Sequence, residues 1–329
     1  MPAPLVFTHY GDPDYLAFTL AQAKASNPER RCILLGDDLN QETARSAGWE
    51  HVEYRELCSS KRDAFNARFF WIQGISHNPM KGGEDWLRFV SERFFCLEAF
   101  LIKERIESFW HFDSDTMILH DLSAYERELA DSGFDAFTLC NDACPSGYIQ
   151  TALIAEFCKS MIEDYEDKNF IRASLRDFRR LRPAHAYTEM EAFCRYREKC
   201  SVSTARLSSF FSDRNVWFDD CMCQDHGFQF VNAPRLGKKI KNFYSDKNGR
   251  ICCQQMDGTA YEFATINCSW VSTDIYAWIA SERFGCASVS VKLADSLGKS
   301  LRSYCVDLVV AVARFLFYGS RVLFRRFAG

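Results

Sequence analysis

The sequence predicts a mixed α/β fold, a mostly parallel sheet flanked by helices over residues 1–285, followed over 286–329 by a linker and a basic amphipathic C-terminal helix. Three observations carry this reading. Short apolar runs alternate with stretches of helical spacing from the N-terminus onward, the strand, helix, strand order that builds a parallel sheet. A later aromatic run, FWHF (109–112), stops at two carboxylates one residue apart, Asp113 and Asp115. A chain of 329 residues, 47% of them hydrophobic, is also long enough to bury a large core.

The elements follow in order. PLVFTHY (4–10) is a short apolar run ending in polar residues, and DPDYLAFTLAQAKASNP after it has helical spacing with Asp12 or Asp14 near its start. RRCILLGDD is a second strand ending in Gly36, Asp37 and Asp38, and HVEYREL (51–57) a third. A long helical region runs from DAFNARFF through DWLRFVSERFFCLEAFLIKERI, where Trp86, Phe89, Val90, Arg93, Phe94 and Leu97 recur at helical intervals. The aromatic strand comes next. In open α/β sheets ligands bind outside the carboxyl ends of the strands, which brings His9, Asp37 and Asp113 to one place.

In the C-terminal half, KIKNFYSDKNGRICCQQMDGTAYEFATI reads as a hairpin leading to NCSWVS. NFIRASLRDFRRLRPAH carries five arginines between Arg172 and Arg182, either a solvated helix or a surface that steers an anionic acceptor. The tail from 301 is apolar and aromatic, with Arg302, Arg314, Arg321, Arg325 and Arg326 along it. Asp307 and Arg314 interrupt it before the roughly 20 apolar residues a membrane span needs. Such a helix suits peripheral contact with an anionic membrane, or packing on the domain or in a homodimer.

A formal net charge of −4 gives no overall basic field, which argues against a nucleic-acid partner. The fifteen cysteines form no pair of C-x-x-C units and read as reduced thiols. The N-terminus has neither the basic nor the apolar region of a signal peptide. The expected location is cytoplasmic, with peripheral attachment to the inner face of the membrane through the tail.

In an extended segment, residues two apart share a face, so Asp113 and Asp115 point together and Ser114 points away. Two hard anionic oxygen ligands suit Mg²⁺ or Mn²⁺, which take their remaining ligands from water and substrate phosphates. The competing reading of a D-x-D is a solvated turn after a strand.

FWHFDSDTMIL, about a hundred residues after LVFTHYGD and CILLGDD, resembles the D-x-D glycosyltransferases of the GT-A type, and within them bacterial nucleotide-sugar transferases of capsule and polysaccharide clusters. SGYIQTALIAEFCKSMIEDY (146–165) is similar to the helix these proteins place after the metal motif. YTEMEAF (187–193) resembles their acidic acceptor-side helix, and FDDCMCQDHGF (218–228) the strand that follows.

The resemblance implies a GT-A-like fold that moves a sugar from a nucleoside diphosphate sugar, UDP-sugar favoured, to a glycan, lipid-linked or other hydroxyl acceptor, with Mn²⁺ or Mg²⁺ as cofactor. It implies Asp115 as the more direct metal ligand, with Asp113 reaching the ribose or the metal and Ser114 beside the donor. Thr8, Tyr10 and Asp37 fall where base and ribose are held, and Arg88 and Arg93 where the diphosphate or sugar lies. Relatives place a His metal ligand after a pair of late strands. Here Asn267 stands at that position, a neutral amide and a weaker partner for a hard cation. An inverting reaction needs a carboxylate base, for which Glu189, Glu191, Asp219 and Asp220 are candidates. Glu189 and Glu191 cannot face the same way on a helix, and Glu189 is favoured.

A D-x-D after an apolar strand also occurs in phosphatases of the haloacid dehalogenase type, where the first Asp is a nucleophile and the second an acid or base. This chain departs from them in Met117, in the late position of its motif and in having Gly36-Asp37-Asp38 upstream. A third reading is a non-catalytic, GT-A-like sugar-binding or scaffold protein in which position 267 has lost the metal ligand.

Overall fold

A computed structural model describes residues 2–76, 83–233 and 238–284. The expected linker and basic helix over 286–329 lie outside the described residues. The chain divides into units Met1–Tyr276 and Ala277–Gly329.

The elements of the first half are β1 (Leu5–Thr8), α1 (Leu16–Ser26), β2 (Cys32–Gly36), α2 (Gln41–Ser46), β3 (Glu50–Glu53), α3 (Ser60–Arg68), α4 (Glu84–Glu104), β4 (Ser108–His111), β5 (Thr116–Ile118) and α5 (Ser123–Asp131). Then come β6 (Ala136–Leu139), β7 (Cys144–Pro145), β8 (Gly147–Gln150), α6 (Thr151–Glu166), α7 (Lys168–Leu181), α8 (Glu189–Cys200), β9 (Thr204–Arg206), α9 (Leu207–Phe210) and β10 (Val216–Phe218). The last are β11 (Phe230–Ala233), β12 (Lys238–Lys241), β13 (Tyr244–Ser245), β14 (Ile251–Gln254), β15 (Ala260–Asn267) and α10 (Thr273–Phe284).

The main sheet has the order β3-β2-β1-β4-β8, parallel except for β8. Every residue of β1 and β2 is buried, as expected of parallel strands covered on both faces. The pleat sorts them. Val6, Ile33, Leu35 and Phe109 join one core with Phe94, Leu97 and Leu101 of α4, while Leu5, Phe7, Leu34 and Trp110 join a second with Leu16 and Leu20 of α1. This is the mixed α/β architecture with helices on a mostly parallel sheet that the sequence predicts.

A second sheet runs β10-β15-β14-β13, with β5 antiparallel on the end of β15. β4 and β5 thus belong to different sheets although only residues 112–115 separate them. Three segments differ from expectation. HVEYREL is strand only through Glu53, because Tyr54 opens a 3₁₀ turn that buries its ring. SGYIQTAL begins as β8 before α6 starts at Thr151, and FDDCMCQDHGF leaves the strand after Phe218. Among the described residues no helix is long and apolar enough to cross a membrane, and the described cysteines are all free.

The loop after β10 is fastened from within. Lys241 Nζ donates to Asp219 Oδ1 (2.8 Å) and to the Cys221 carbonyl (2.7 Å), and both charged side chains are fully buried. Breaking a buried pair leaves an uncompensated charge, so Lys241→Met is expected to cost about 3–5 kcal/mol in urea unfolding. The double variant Lys241→Met, Asp219→Leu should recover most of that loss. A single variant as stable as wild type would refute this account.

Candidate functional site

The loops after β1 and β2 are knitted together at the carboxyl edge of the main sheet. Asp37 Oδ2 accepts from the Gly11 amide (2.8 Å) and its Oδ1 from the Leu39 amide (3.1 Å). Asn40 Nδ2 donates to the Gly11 carbonyl (2.9 Å), while its Oδ1 meets His51 Nε2 (2.9 Å). Gly36 permits this packing, since a Cβ there would lie 2.1 Å from Asn40 Oδ1. Thr8, at the end of β1, is buried and its hydroxyl has no hydrogen-bond partner among the described residues. Tyr10 is exposed, with its ring 5.5 Å from that of Phe89. Those two rings line a cleft of about 590 Å³ together with Tyr54, Trp86, Arg88 and Arg93.

The D-x-D segment is a turn, not the extended strand end its spacing predicts. The Thr116 amide donates to the Asp113 carbonyl (3.0 Å), which bends the chain from β4 into β5 and toward the second sheet. Ser114 is buried beneath the turn, with its Oγ 2.7 Å from His9 Nδ1. Burial, with Arg93 nearby, brings the His9 imidazole down to about 4, so it is neutral at pH 7.

The two carboxylates have different partners. Asp113 Oδ1 accepts from Arg93 Nη1 at 2.8 Å. Burial raises its pKa, but the guanidinium outweighs burial and holds the carboxyl below its ordinary value. Asp115 accepts from Ser269 Oγ on Oδ2 (2.7 Å) and from Asn267 Nδ2 on Oδ1 (3.2 Å). Burial and the charge of Asp113 push it up to about 6. Asn267 arrives through the register that sets it opposite Thr116 at the end of β15. Its side-chain oxygen accepts from the Ser269 amide (3.1 Å), so as placed Asn267 turns its nitrogen toward Asp115 and its oxygen toward the backbone that follows.

Arg93 is 7% exposed on α4 and also donates through Nη2 to Glu189 Oε1 at 3.0 Å. Burial, with Asp113 adding its charge and Arg93 opposing, pushes Glu189 up to about 7. Glu191 has other work. Its Oε2 accepts from the Thr188 amide (2.9 Å) in a capping box at the start of α8. Arg88 is half-exposed, 3.1 Å from Glu84, with its guanidinium over the Phe69 ring.

Asp220 is buried after β10. Its Oδ1 accepts from the Cys140 amide (3.0 Å), and its Oδ2 lies 3.3 Å from His226 Nε2. Cys140, Asn141 and Asp142 all have left-handed backbone, with φ of 55°, 56° and 67°.

Sequence reasoning therefore names Asp113, Ser114, Asp115, Asn267, Arg93 and Glu189, which the structure joins through direct contacts and one turn. Tyr10 and Arg88 share the adjoining cleft with Arg93. Ser269 was missed, and only its place two residues after Asn267 could have signalled it. Among the described residues no three His, Cys, Asp or Glu side chains gather as a metal cluster. A hard divalent cation would rely on Asp113 and Asp115, supplemented by neutral oxygens. The pair suits one, since both carboxylates are partly exposed and the charge of one raises the other.

No protein-family model and no curated protein matches the sequence. Among solved structures, the chain has a weak likeness to one described as PaToxG Glycosyltransferase, at 10% identity and a TM-score of 0.34, covering 60% of this chain and 69% of that one.

The raised Glu189 has a consequence for stability. A carboxyl whose folded pKa lies above its unfolded value binds its proton more tightly when folded, so stability rises as pH falls from about 7 to about 4.5. Asp115 acts in the same sense below about 6. Asp113, held low, opposes only below its ordinary value of 3.8. Buried His9 and His111, brought down to about 4, oppose both carboxyls as pH falls below 6.5, so the Glu189 contribution is read as a difference between proteins. Urea titrations at the two ends of that window should show Glu189→Gln losing stability on acidification relative to wild type, and an identical pH response in the two would exclude the contribution of Glu189.

Proposed function

We propose that this chain is a metal-dependent glycosyltransferase that takes a sugar from a nucleoside diphosphate sugar, a UDP-sugar, and passes it to a hydroxyl of a glycan or lipid-linked acceptor. The observation that carries the reading is the Asp113–Asp115 turn, set at the carboxyl edge of a mostly parallel sheet beside an aromatic and arginine-lined cleft.

Asp113 and Asp115 would hold Mn²⁺ or Mg²⁺, which when bound neutralises charge on the departing diphosphate. Tyr10 and Phe89 offer ring faces to a nucleobase at the mouth of the cleft. Asp37 fixes the loop that carries Tyr10, and each of its oxygens retains acceptor capacity for a ribose hydroxyl. Arg88 is exposed enough to reach a phosphate, whereas Arg93 is committed to its two carboxylates. Neutral His9 and Ser114 brace the turn from below. Glu189, with its pKa near 7, is tuned to accept a proton from an acceptor hydroxyl at neutral pH.

Calorimetric titration of UDP, GDP and CDP, with and without Mn²⁺, tests this. UDP is expected to bind in a metal-dependent way, and Asp115→Ala to weaken that binding by more than about tenfold, as loss of a charged ligand implies. Absence of binding for every nucleotide under both conditions would overturn the transferase reading.

A further inference from the structure

The arginines between 172 and 182 play no part in the site above. Helix α7 starts on Asp167, whose Oδ1 accepts from the amides of Asn169 (2.8 Å) and Phe170 (3.1 Å). On one side, Phe178 is buried in the core and Phe170 and Leu175 pack against it. On the other, Lys168, Arg172, Arg176, Arg179 and Arg180 recur at intervals of three and four and are all exposed. Between 168 and 182 six basic residues meet one acidic residue, Asp177, in a chain whose formal net charge is −4. Arg176 makes only a loose 3.8 Å contact with Asp177, and Arg172, Arg179 and Arg180 have no ion pair among the described residues.

This stripe ends in exposed aliphatic side chains. Leu181 is 69% exposed at the end of α7, and Ile75 is 79% exposed on a neighbouring loop. The two loops are stapled together. The Tyr187 amide donates to the Ile72 carbonyl (2.9 Å), Gly74 to His185 (2.9 Å) and Ser76 to Pro183 (2.8 Å). Gly74 allows that approach, because a Cβ there would lie 2.2 Å from the Pro183 oxygen. Arg182 stacks on Phe178 at 4.1 Å and pairs with Glu191 at 3.5 Å, which ties the same turn to α8. Two large aliphatic side chains are thus presented to solvent by braced backbone, at the edge of an unpaired arginine face.

We infer that this face docks the protein on an anionic lipid surface, with the arginines pairing with headgroup phosphates and Leu181 and Ile75 entering the apolar boundary. Charge complementarity selects an anionic partner. The guanidinium fork, used at five of the six basic positions, suits phosphate oxygens. The exposed aliphatics select lipid over a soluble polyanion, which gives them nothing to bury in. The inference does not depend on the transferase reading, since neither the stripe nor the stapled loops contain a donor-site residue. The stapled loop runs directly into α8 and Glu189, so a docked molecule carries its site near the surface.

Cosedimentation of the full chain with vesicles tests this, using phosphatidylcholine alone and phosphatidylcholine with phosphatidylglycerol in equal parts. The wild type is expected to bind the anionic vesicles in a salt-sensitive way. Each basic residue near an anionic surface strengthens binding about fivefold, so the triple variant Arg172→Gln, Arg179→Gln, Arg180→Gln should bind on the order of a hundredfold more weakly. The pair Ile75→Gln, Leu181→Gln should also weaken vesicle binding while leaving binding to soluble polyphosphate unchanged. All variants keep residues 286–329, so any contribution of the tail is common to them. These side chains are exposed, and thermal unfolding should match wild type. Undiminished vesicle binding by the triple variant would overturn the inference. So would a triple variant that loses vesicles and polyphosphate alike while the aliphatic pair retains full vesicle binding, an outcome that assigns the stripe to a soluble polyanion.

Discussion

Arg93 places one guanidinium between Asp113 (2.8 Å) and Glu189 (3.0 Å), and Asp115 lies close enough to Asp113 to feel its charge. Three carboxylates share one buried cation. Burial disfavours all three charges, and Asp113 adds its own repulsion to the other two. Asp113 is held ionised, whereas Asp115 and Glu189 are pushed up toward the physiological range. A buried pair is costly to form and more costly to break, so Arg93 also fixes where α4, the D-x-D turn and α8 stand relative to one another. The turn thus carries residual negative charge, and the Glu189 carboxyl sits at about 7, where it holds a proton part of the time at neutral pH.

That arrangement depends on a topological fact. The chain leaves the main sheet at His111 and joins the second sheet at Thr116, so the D-x-D must turn within the four residues between. The turn brings Asp113 to the main-sheet side, where α4 supplies Arg93. It brings Asp115 to the end of β15, where Asn267 and Ser269 supply an amide and a hydroxyl. The motif is thus a seam between two sheets, each half held by a different one. His9 and Ser114 close the seam from below with a neutral contact that adds no charge to an already crowded site.

How much of this was legible in the sequence follows from the range of the interactions. β1, β2 and β4 read clearly because both faces of each are buried, which makes their apolar runs continuous. Arg93 was visible as the one cation within the apolar stripe of α4, although its two carboxylate partners were not. The capping box Thr188-x-x-Glu191 is a local pattern, and it explains why Glu191 is occupied while Glu189 faces Arg93. The turn at 113–115 was misread as extended because its cause, the pairing of β5 with β15, comes from the far end of the domain. Ser269 was illegible for the same reason. The early end of β3 was missed because Tyr54 belongs to the core and leads into a 3₁₀ turn, a demand of packing that strand propensity does not register.

The same reasoning bears on Asp220, the remaining carboxylate at the edge of the site. Left-handed backbone costs a non-glycine residue roughly 1–2 kcal/mol, and Cys140, Asn141 and Asp142 adopt it in succession. Such a segment persists only where its surroundings hold it. The holding groups are identifiable. Asp220 Oδ1 accepts from the Cys140 amide, while Asp142 accepts from Thr138 Oγ1 (2.8 Å) and Arg206 Nη2 (2.6 Å). Asp220 therefore spends one oxygen on a strained loop that links β6 to β7, and its other faces His226 within the protein. A carboxylate so placed positions the backbone beside the D-x-D turn, and of the carboxylates around that turn Glu189 is the one that burial pushes up to about 7.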